Sequence, residues 1–253
     1  LPEHTLPAKA LAFAMGADYL EQDLALSRDG VPVVLHDVQI DTVTDVARRF
    51  PDRRREDGRF YAIDFTWAEL KQMAATERMN LKTGQAVFTN RFPAGQSSFG
   101  LVSLEEELQF IRGLERSTGR TVGIYPEIKQ PEWHRKQGRD ISAVVLPILA
   151  KYGYRTKADR CFVQCFELPE LKRIRTELGW QGSLVYLCGK APPQAELEEA
   201  ARIVDGLGPA LGAVVAAPAD GGPQVTDLVR RAHELKLVVH PYTARVDELP
   251  RWA

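Results

Sequence analysis

The sequence predicts a mostly parallel α/β fold of the barrel type, and three observations carry that prediction. The chain has 253 residues, a length that α/β barrels of one domain commonly have. Beyond about residue 100, apolar strand-like runs alternate with helical patterns, which is typical of right-handed crossovers between parallel strands. No Gly-rich phosphate-binding fingerprint follows the first strand, which weakens the dinucleotide-binding alternative.

A β-hairpin is predicted near the start of the chain. Apolar runs at 17–26 and 31–36 flank Asp29-Gly30, a dipeptide that tolerates the positive φ angles of tight turns. A two-residue loop there would pair residues whose numbers sum to roughly 57 to 59. That register places His36 beside the middle of the first strand.

Two segments flank this hairpin. Apolar positions at helical spacing predict a helix over 6–15. From about 40 to 100 the pattern breaks down into charged, turn-rich sequence, and we expect an insertion that covers one end of the domain. Within it, Thr66 and Glu69 form the capping box of a short helix.

The remaining elements alternate along one predicted domain, residues 1–253. They are a helix from 103 to about 117, a strand at 121–128, a helix from 140 to about 151, a strand at 161–166, a helix at 168–178, a strand at 183–188, a helix at 194–202, short apolar segments near 203–216, a helix at 224–235 and a strand at 237–242. These strands are too few for a complete barrel.

Composition and charge exclude several classes of protein. With 44% hydrophobic and 26% charged residues, the chain can build a core and carries no sign of disorder. A net charge of -1 argues against a nucleic-acid binder, and no apolar run approaches the length of a membrane span. Cys161, Cys165 and Cys188 lack the spacing of a zinc site, so buried free thiols are expected.

Carboxylates at two strand ends predict a cation site. Side chains alternate along a strand, so Glu21 and Asp23 share one face, and paired carboxylates suit a hard divalent cation. The alternative is that they form the solvated face of a strand. Glu127 and Lys129, at the end of a second apolar strand, favour the site. His36 would add a group that titrates near neutral pH.

Other polar and aromatic residues also lie at predicted strand ends, where the functional groups of barrels gather. They are Gln164, Phe166, His240, Tyr242 and Arg245. Phe166 and Tyr242 are candidates for the substrate pocket, although aromatic residues at strand ends also serve as packing.

Five segments, in order, resemble the glycerophosphodiester phosphodiesterase family, with the bacterial periplasmic type as the nearest match. They are Pro-Glu-His-Thr-Leu at 2–6, Gly-Ala-Asp-Tyr-Leu-Glu-Gln-Asp at 16–23, Asp-Gly-Val-Pro-Val-Val-Leu-His-Asp at 29–37, Pro-Glu-Ile-Lys at 126–129 and His-Pro-Tyr-Thr at 240–243. The resemblance spans nearly the whole chain, and it implies a TIM-type (β/α) barrel with an insertion after the early hairpin.

The resemblance also assigns roles to individual residues. By motif position, Glu21, Asp23 and Glu127 would hold the divalent cation, with Ca²⁺ and Mg²⁺ both open because either ion prefers carboxylate oxygens. His36 would be one of two catalytic histidines, and Lys129 would contact the phosphate.

The implied activity is metal-dependent hydrolysis of glycerophosphodiesters, such as glycerophosphocholine, to sn-glycerol 3-phosphate and an alcohol. The partner would be this small-molecule substrate, and the location periplasmic or secreted. The attacking group is left open between water and the adjacent glycerol hydroxyl. The alternatives are a catalytically impaired barrel fragment, a phosphodiester-binding protein of the same fold, and a different metal-dependent barrel hydrolase.

One departure from the family concerns the chain's ends. In the family, the first strand ends in a His-Arg-Gly motif just before Pro-Glu-His-Thr, and a closing strand lies near the end of the barrel. Neither lies within residues 1–253, so the resemblance implies that the first and last strands of the barrel are lacking in this sequence. We therefore expect a fragment of a longer enzyme, and slow or no turnover from residues 1–253 alone.

Several further polar residues have alternative interpretations. His4 is expected to hydrogen bond at a helix N-terminus, with contact to a metal ligand as the alternative. Glu3 either reaches the outer shell of the metal or complements the helix dipole. Asp37 either orients a catalytic group or makes a turn bond. His134 and His233 are expected on a surface loop and a helix face, without a role.

Overall fold

The structure is a computed structural model, and it describes residues 1–216, 222–245 and 247. The chain divides into two compact units, Leu1–Tyr154 and Arg155–Ala253. Among the helices of the described residues, none has the length and apolar character to cross a membrane.

The first unit contains the predicted helix, the hairpin, the insertion and the first strand and helices after it. Its helices are α1 (Leu6–Ala14), α2 (Val46–Arg49), α3 (Trp67–Leu70), α4 (Leu104–Thr118), α5 (Pro131–Lys136) and α6 (Ile141–Lys151), with 3-10 turns at Pro51–Arg53 and Ala62–Asp64. Its strands are β1 (Tyr19–Leu26), β2 (Pro32–Val34), β3 (Met79–Asn80), β4 (Gln85–Ala86) and β5 (Gly123–Ile128).

Strand β1 pairs with β2 on one side and with β5 on the other. The β1–β2 pairing is antiparallel, and its partners, such as Leu24 and Val34, sum to 58, within the predicted range. The loop differs from the expected two residues, because Ser27 N donates to Val31 O and leaves three residues between them. Gly30, at φ +82°, closes this loop in the left-handed region that three-residue hairpin loops require.

The insertion is a folded part of the first unit with its own apolar packing. Sixteen buried residues from the hairpin and the insertion form one cluster, with Phe60 and Phe65 among its largest members. The predicted capping box is present, because Thr66 Oγ1 accepts from Glu69 N and the Glu69 carboxylate accepts from Thr66 N. The residues near 76 are anchored on the segment near 43, where Thr76 N donates to Val43 O over 2.8 Å.

Helix α5 and the burial of its histidine, His134, were not predicted from the sequence. His134 was expected on a surface loop, and that prediction is wrong, because the residue is fully buried on α5. Its Nε2 accepts from Leu26 N over 3.1 Å, so the Nδ1 proton points at Gln130 O, 3.0 Å away. Burial lowers its pKa, and the neutral ring serves as a structural link between β1 and α5.

The second unit repeats short parallel strands and helices. Its strands are β6 (Phe162–Cys165), β7 (Ser183–Cys188), β8 (Gly206–Pro209), β9 (Val215–Ala216), β10 (Gln224–Val225) and β11 (Val238–Val239), and its helices are α7 (Leu168–Thr176), α8 (Gln194–Ala201), α9 (Leu211–Val214) and α10 (Leu228–Glu234). Parallel pairing joins β6 to β7, β7 to β8 and β8 to β11. The predicted helix at 224–235 begins later, at Leu228, because Gln224–Val225 pairs with β9.

The three cysteines are free and buried, as predicted. Burial raises the pKa of the Cys188 thiol to about 11, and it also raises the pKa of Cys161. Protonated thiols in an apolar interior serve as packing.

Candidate active site

Three carboxylates converge because β1 and β5 run parallel and in register. Glu21 and Asp23 are two residues apart on β1, so they share a face. Asp23 lies directly opposite Glu127 on β5, and Glu21 lies opposite Tyr125. The pairing therefore places all three predicted metal ligands on neighbouring positions of one sheet surface.

Lys129 lies among these carboxylates, directly after β5. Its Nζ is 2.8 Å from Glu127 Oε1 and 3.4 Å from Asp23 Oδ1, and the residue is buried. Burial alone would lower the pKa of this lysine, but the Asp23 and Glu127 charges outweigh that effect and raise it. Lys129 is therefore a fixed cation beside the acidic group.

Burial and the neighbouring negative charge of Asp23 both raise the pKa of Glu127 and Glu21. Burial raises the pKa of Glu127 to about 8, and the Asp23 charge adds to this effect against the opposing influence of Lys129. The pKa of Glu21 is raised well above its ordinary value by burial and then by Asp23. The carboxylates thus attract more positive charge than Lys129 supplies.

Asp23 differs because it has hydrogen-bonding partners of its own. Burial alone would raise its pKa, but the hydrogen bond from His4, the charge of His4 and then that of Lys129 bring it well below its ordinary value. His4 Nε2 donates to Asp23 Oδ2 over 2.9 Å. Asp23 therefore stays ionised at the centre of the site.

Lys9 determines which nitrogen of His4 carries the proton. The Lys9 ammonium lies 3.5 Å from His4 Nδ1 and also donates to Glu21 O. An ammonium can only donate, so in the neutral form of His4 Nδ1 is the acceptor and Nε2 carries the proton given to Asp23. Of the two predicted roles for His4, contact with a metal-ligand candidate is the one that the structure shows.

The ligand atoms suit a hard cation. One atom each from His4, Glu21 and Asp23 can be chosen so that all lie within 4.8 Å of one another. Glu127 is adjacent to Asp23 but is held by Lys129. Carboxylate oxygens dominate the group, as Ca²⁺ and Mg²⁺ prefer, and a bound divalent cation would favour the ionised form of the glutamates, whose pKa is raised by burial and then by Asp23.

The opposite face of β1 carries a second buried polar group. Gln22 Nε2 donates to Glu107 Oε1 on α4 over 2.9 Å, and Gln22 Oε1 accepts from Tyr125 N over 3.3 Å. Lys9 Nζ lies 3.4 Å from the same Glu107 oxygen. This network fixes the backbone from which Glu21 and Asp23 project.

His36 follows β2 and presents one ring nitrogen to Asp37. Its Nδ1 donates to Asp37 Oδ1 over 2.8 Å, and its side chain is half exposed. The hydrogen bond to Asp37 and, to a lesser extent, the Asp23 charge raise the pKa of His36, while burial and Lys129 oppose them. Asp37 therefore orients His36, which was one of its two predicted roles.

Arg78, from the insertion, holds the far side of Asp37. Its Nη1 donates to Asp37 Oδ2, and its Nη2 and Nε donate to the two carboxylate oxygens of Glu3, with Nε at 3.2 Å. Burial alone would raise the pKa of Asp37, but the hydrogen bonds from His36 and Arg78 lower it. Glu3 thus faces an arginine, a partner that was not predicted for it.

The predicted aromatic residues lie in the second unit. Phe166 and Tyr242 meet edge to face with ring centroids 5.9 Å apart, and 45% of Phe166 is exposed. Their predicted place in the substrate pocket stays a prediction. His240 meets Phe162 at 5.2 Å, and burial lowers the pKa of His240.

Lys9, Glu107 and Arg78 are the residues that the sequence analysis missed. Lys9 and Phe13 are one helical turn apart and are both buried on α1. The signal in the sequence for a role of Lys9 was therefore a charged residue on the apolar face of a helix. Glu107 follows its helix cap by four residues and resembles an ordinary first-turn acid. Arg78 lies 41 residues from Asp37 and carries no local signal.

Together, the fold and the site define a class: an α/β protein with acidic strand ends, a buried lysine and an oriented histidine, suited to acid–base chemistry on an anionic substrate. Comparisons with known proteins specify the family. The model of the "Glycerophosphoryl diester phosphodiesterase family" matches residues 1–253. The chain belongs to this family of enzymes.

Relatives of known sequence support the assignment. A "Glycerophosphodiester phosphodiesterase" of Haemophilus influenzae is 43% identical over all of this chain and 78% of its own length. One of Treponema pallidum is 49% identical over 70% of this chain and 51% of its own length.

Solved structures show the same fold. A putative glycerophosphoryl diester phosphodiesterase from Silicibacter pomeroyi superposes with a TM-score of 0.71 at 23% identity, covering 96% of this chain and 78% of that one. An Oleispira antarctica phosphodiesterase gives 0.64 at 20% identity, covering 96% and 79%. The predicted fold class, an α/β TIM-type barrel, is confirmed.

Proposed function

We propose that this protein hydrolyses glycerophosphodiesters to sn-glycerol 3-phosphate and an alcohol, with a divalent cation held at the β1–β5 carboxylates. The observation that carries the proposal is the convergence of Glu21, Asp23 and Glu127 on one sheet surface, where Lys129 pairs with Asp23 and Glu127. The names of the relatives support the substrate class. The Oleispira antarctica structure is described as a complex with "the product sn-glycerol-3-phosphate", which supports the product.

Glu21, Asp23 and Glu127 would hold the cation, with His4 positioning Asp23 through its hydrogen bond. When bound, the cation supplies positive charge against the negative charge that grows on the phosphate oxygens. Lys129 supplies a second positive charge from a buried position, where electrostatic interactions are stronger than in water. Both charges favour the transition state over the starting diester.

His36 would move protons through its Nε2. Its Nδ1 is occupied by Asp37, so the other ring nitrogen is the one available to a substrate oxygen. The raised pKa of His36 favours the protonated ring, which suits the donation of a proton to the leaving alkoxide. The proton of the attacking hydroxyl requires a second group, in keeping with the two histidines of the family.

The attacking group is either water or the glycerol hydroxyl beside the ester. Attack by the glycerol hydroxyl passes through a cyclic phosphate, which ³¹P NMR of the reaction mixture would reveal. A time course in which only glycerol 3-phosphate accumulates would favour water.

The activity test uses the purified full-length protein with glycerophosphocholine or glycerophosphoethanolamine and added Ca²⁺ or Mg²⁺. We expect release of sn-glycerol 3-phosphate that EDTA abolishes and either cation restores. If neither substrate yields glycerol 3-phosphate, the phosphodiesterase proposal fails. That result would favour the alternative of a phosphodiester-binding protein of the same fold. Turnover that EDTA leaves unchanged would contradict the proposed metal.

Glu127→Gln is the variant that tests the acidic site, and Glu132→Gln is its matched control. We expect E127Q to lose about 10² to 10³-fold in kcat, comparable to the loss of one preorganised electrostatic contact. Glu132 is an exposed glutamate on α5 that pairs with Lys136, so E132Q should keep full activity. Equal activity in the two variants would remove Glu127 from the site.

The periplasmic or secreted location is a further part of this proposal and rests on resemblance alone. Fractionation of the native cells with an antibody to the protein would test it. Recovery with the cytoplasmic fraction would contradict it.

A further inference from the structure

We propose that Arg78 is a positioning residue for His36, acting through Asp37, so that the insertion sets the geometry of the proton-transfer group. The proposal rests on the proposed function of His36. It starts from the chain of contacts in which Arg78 Nη1 donates to Asp37 Oδ2 and Asp37 Oδ1 accepts from His36 Nδ1.

The two oxygens of Asp37 have different partners, and this makes the carboxylate a link. One oxygen holds the imidazole and the other holds the guanidinium. An aspartate held only by the exposed His36 could rotate about its side-chain bonds. With its second oxygen on the rigid planar fork of Arg78, Asp37 keeps the orientation that directs His36 Nδ1.

Arg78 itself is fixed from two sides. Glu3 accepts from its Nε and Nη2, so three of its five N–H groups are engaged when Asp37 is included. The backbone at Arg78 is also held, because Val87 N donates to Arg78 O and Met79 N donates to Thr42 O, each over 2.8 Å. The arginine is therefore a fixed anchor.

The charges argue against direct phosphate binding by Arg78. Its guanidinium faces two carboxylates, those of Glu3 and Asp37, which together exceed its positive charge. An anionic substrate gains little from such a group. Loss of Arg78 should therefore affect the chemical step through His36 and leave substrate affinity largely unchanged.

The kinetic test compares Arg78→Lys with Arg55→Lys. A lysine can contact one carboxylate but lacks the fork that joins Glu3 to Asp37. We expect R78K to lower kcat about 10-fold, which is less than the roughly 10² to 10⁴-fold that acid–base catalysis contributes because His36 itself is kept, with KM within about twofold. Arg55 makes a comparable two-pronged contact to Asp64, away from His36, so R55K should keep wild-type kcat.

A double-mutant cycle with Asp37→Asn separates positioning from a general structural role. If Arg78 acts through Asp37, R78K in the D37N background should cause no further loss of kcat, because the link is already broken. Losses that multiply in the double variant would overturn the proposal. So would a raised KM at unchanged kcat in R78K, since that pattern indicates a substrate contact.

Glu3→Gln is a second variant in case R78K folds poorly, as judged by circular dichroism. It weakens the anchor of Arg78 without touching Asp37, and we expect a smaller fall in kcat that vanishes in the D37N background. A fall that persists there would contradict the proposal.

NMR of the His36 imidazole is independent of activity. We expect an Nδ1 proton protected from exchange in the wild type and faster exchange in R78K but not in R55K. Unchanged exchange in R78K would overturn the proposal, even if no glycerophosphodiester is turned over. Conversely, if the wild-type protein turns over no glycerophosphodiester while R78K loses the protection that the wild type and R55K keep, Arg78 remains the positioning residue of His36 and only the proposed phosphodiesterase function fails.

Discussion

The two faces of β1 both bury polar side chains, yet they differ in how far those side chains satisfy one another. On one face, Glu21 and Asp23 converge with Glu127, and the pKa of Glu127 rises to about 8. On the other face, the neutral Gln22 amide bonds both Glu107 and the Tyr125 backbone. Carboxyl groups whose pKa is raised by burial and by a neighbouring charge mark the face for which we propose a bound cation, whereas a hydrogen-bonded amide marks the face that holds the strand in place.

Asp23→Asn tests the functional face and should have the largest effect. Asp23 contacts both His4 and Lys129, so its loss removes a charge at the centre of the site. We expect kcat/KM for glycerophosphocholine to fall about 10² to 10³-fold or more, with a melting temperature close to the wild type. Wild-type kcat/KM in D23N would break the distinction between the faces.

Gln22→Met tests the structural face. The substitution keeps the volume but removes the amide, so the buried Glu107 Oε1 loses its Gln22 donor. Groups left unsatisfied in the interior cost about 1–3 kcal/mol, which denaturant unfolding would measure. Activity per folded molecule should persist, and a loss as large as that of D23N at unchanged stability would contradict the comparison.

Asp37→Asn sharpens the comparison at the edge of the site. The hydrogen bond that His36 donates to Asp37 is the main cause that raises the pKa of His36, so D37N should bring that pKa back towards the free value of 6.5 in an NMR titration. A higher pKa of His36 in D37N than in the wild type would contradict the assignment of Asp37 as the main cause.

The contact between His36 and Asp37 also makes the stability of the protein depend on pH. Because the folded-state pKa of His36 is raised, its contribution to stability is fully present below the unfolded value near 6.5 and is lost as pH rises through the folded value. Wild-type protein should therefore lose melting temperature between pH 6 and pH 8 by a small margin that D37N lacks. Thermal unfolding at several pH values would measure it.

Local chemistry made much of the first unit predictable. The capping boxes at Thr66 and Ser103 satisfy backbone groups within three residues, so sequence spacing alone identifies them. The hairpin register was also predicted, although its loop is one residue longer than expected. In a hairpin, the numbers of two paired residues always add to the same sum. The three-residue loop gives a sum of 58, which lies within the range of roughly 57 to 59 that was predicted for a two-residue loop.

The residues that escaped prediction are those whose partners lie far away in sequence. His134 resembles a surface residue in the charged run of α5, and only packing against β1 shows that Leu26 N requires its Nε2. Arg78 lies in a segment without periodicity, and its partners are the carboxylates of Glu3 and Asp37. Local patterns carry no information about such pairs.

The sequence by itself determined the alternation of strands and helices, the shared face of Glu21 and Asp23, and the family to which the chain belongs. Each follows from periodicity or from ordered motifs, which need no knowledge of distant contacts. The tertiary structure alone decided which groups hold those residues: Lys129 among the carboxylates, His4 on Asp23, and Arg78 behind Asp37. Burial and distance set charge balance and proton positions, and only the folded chain defines them.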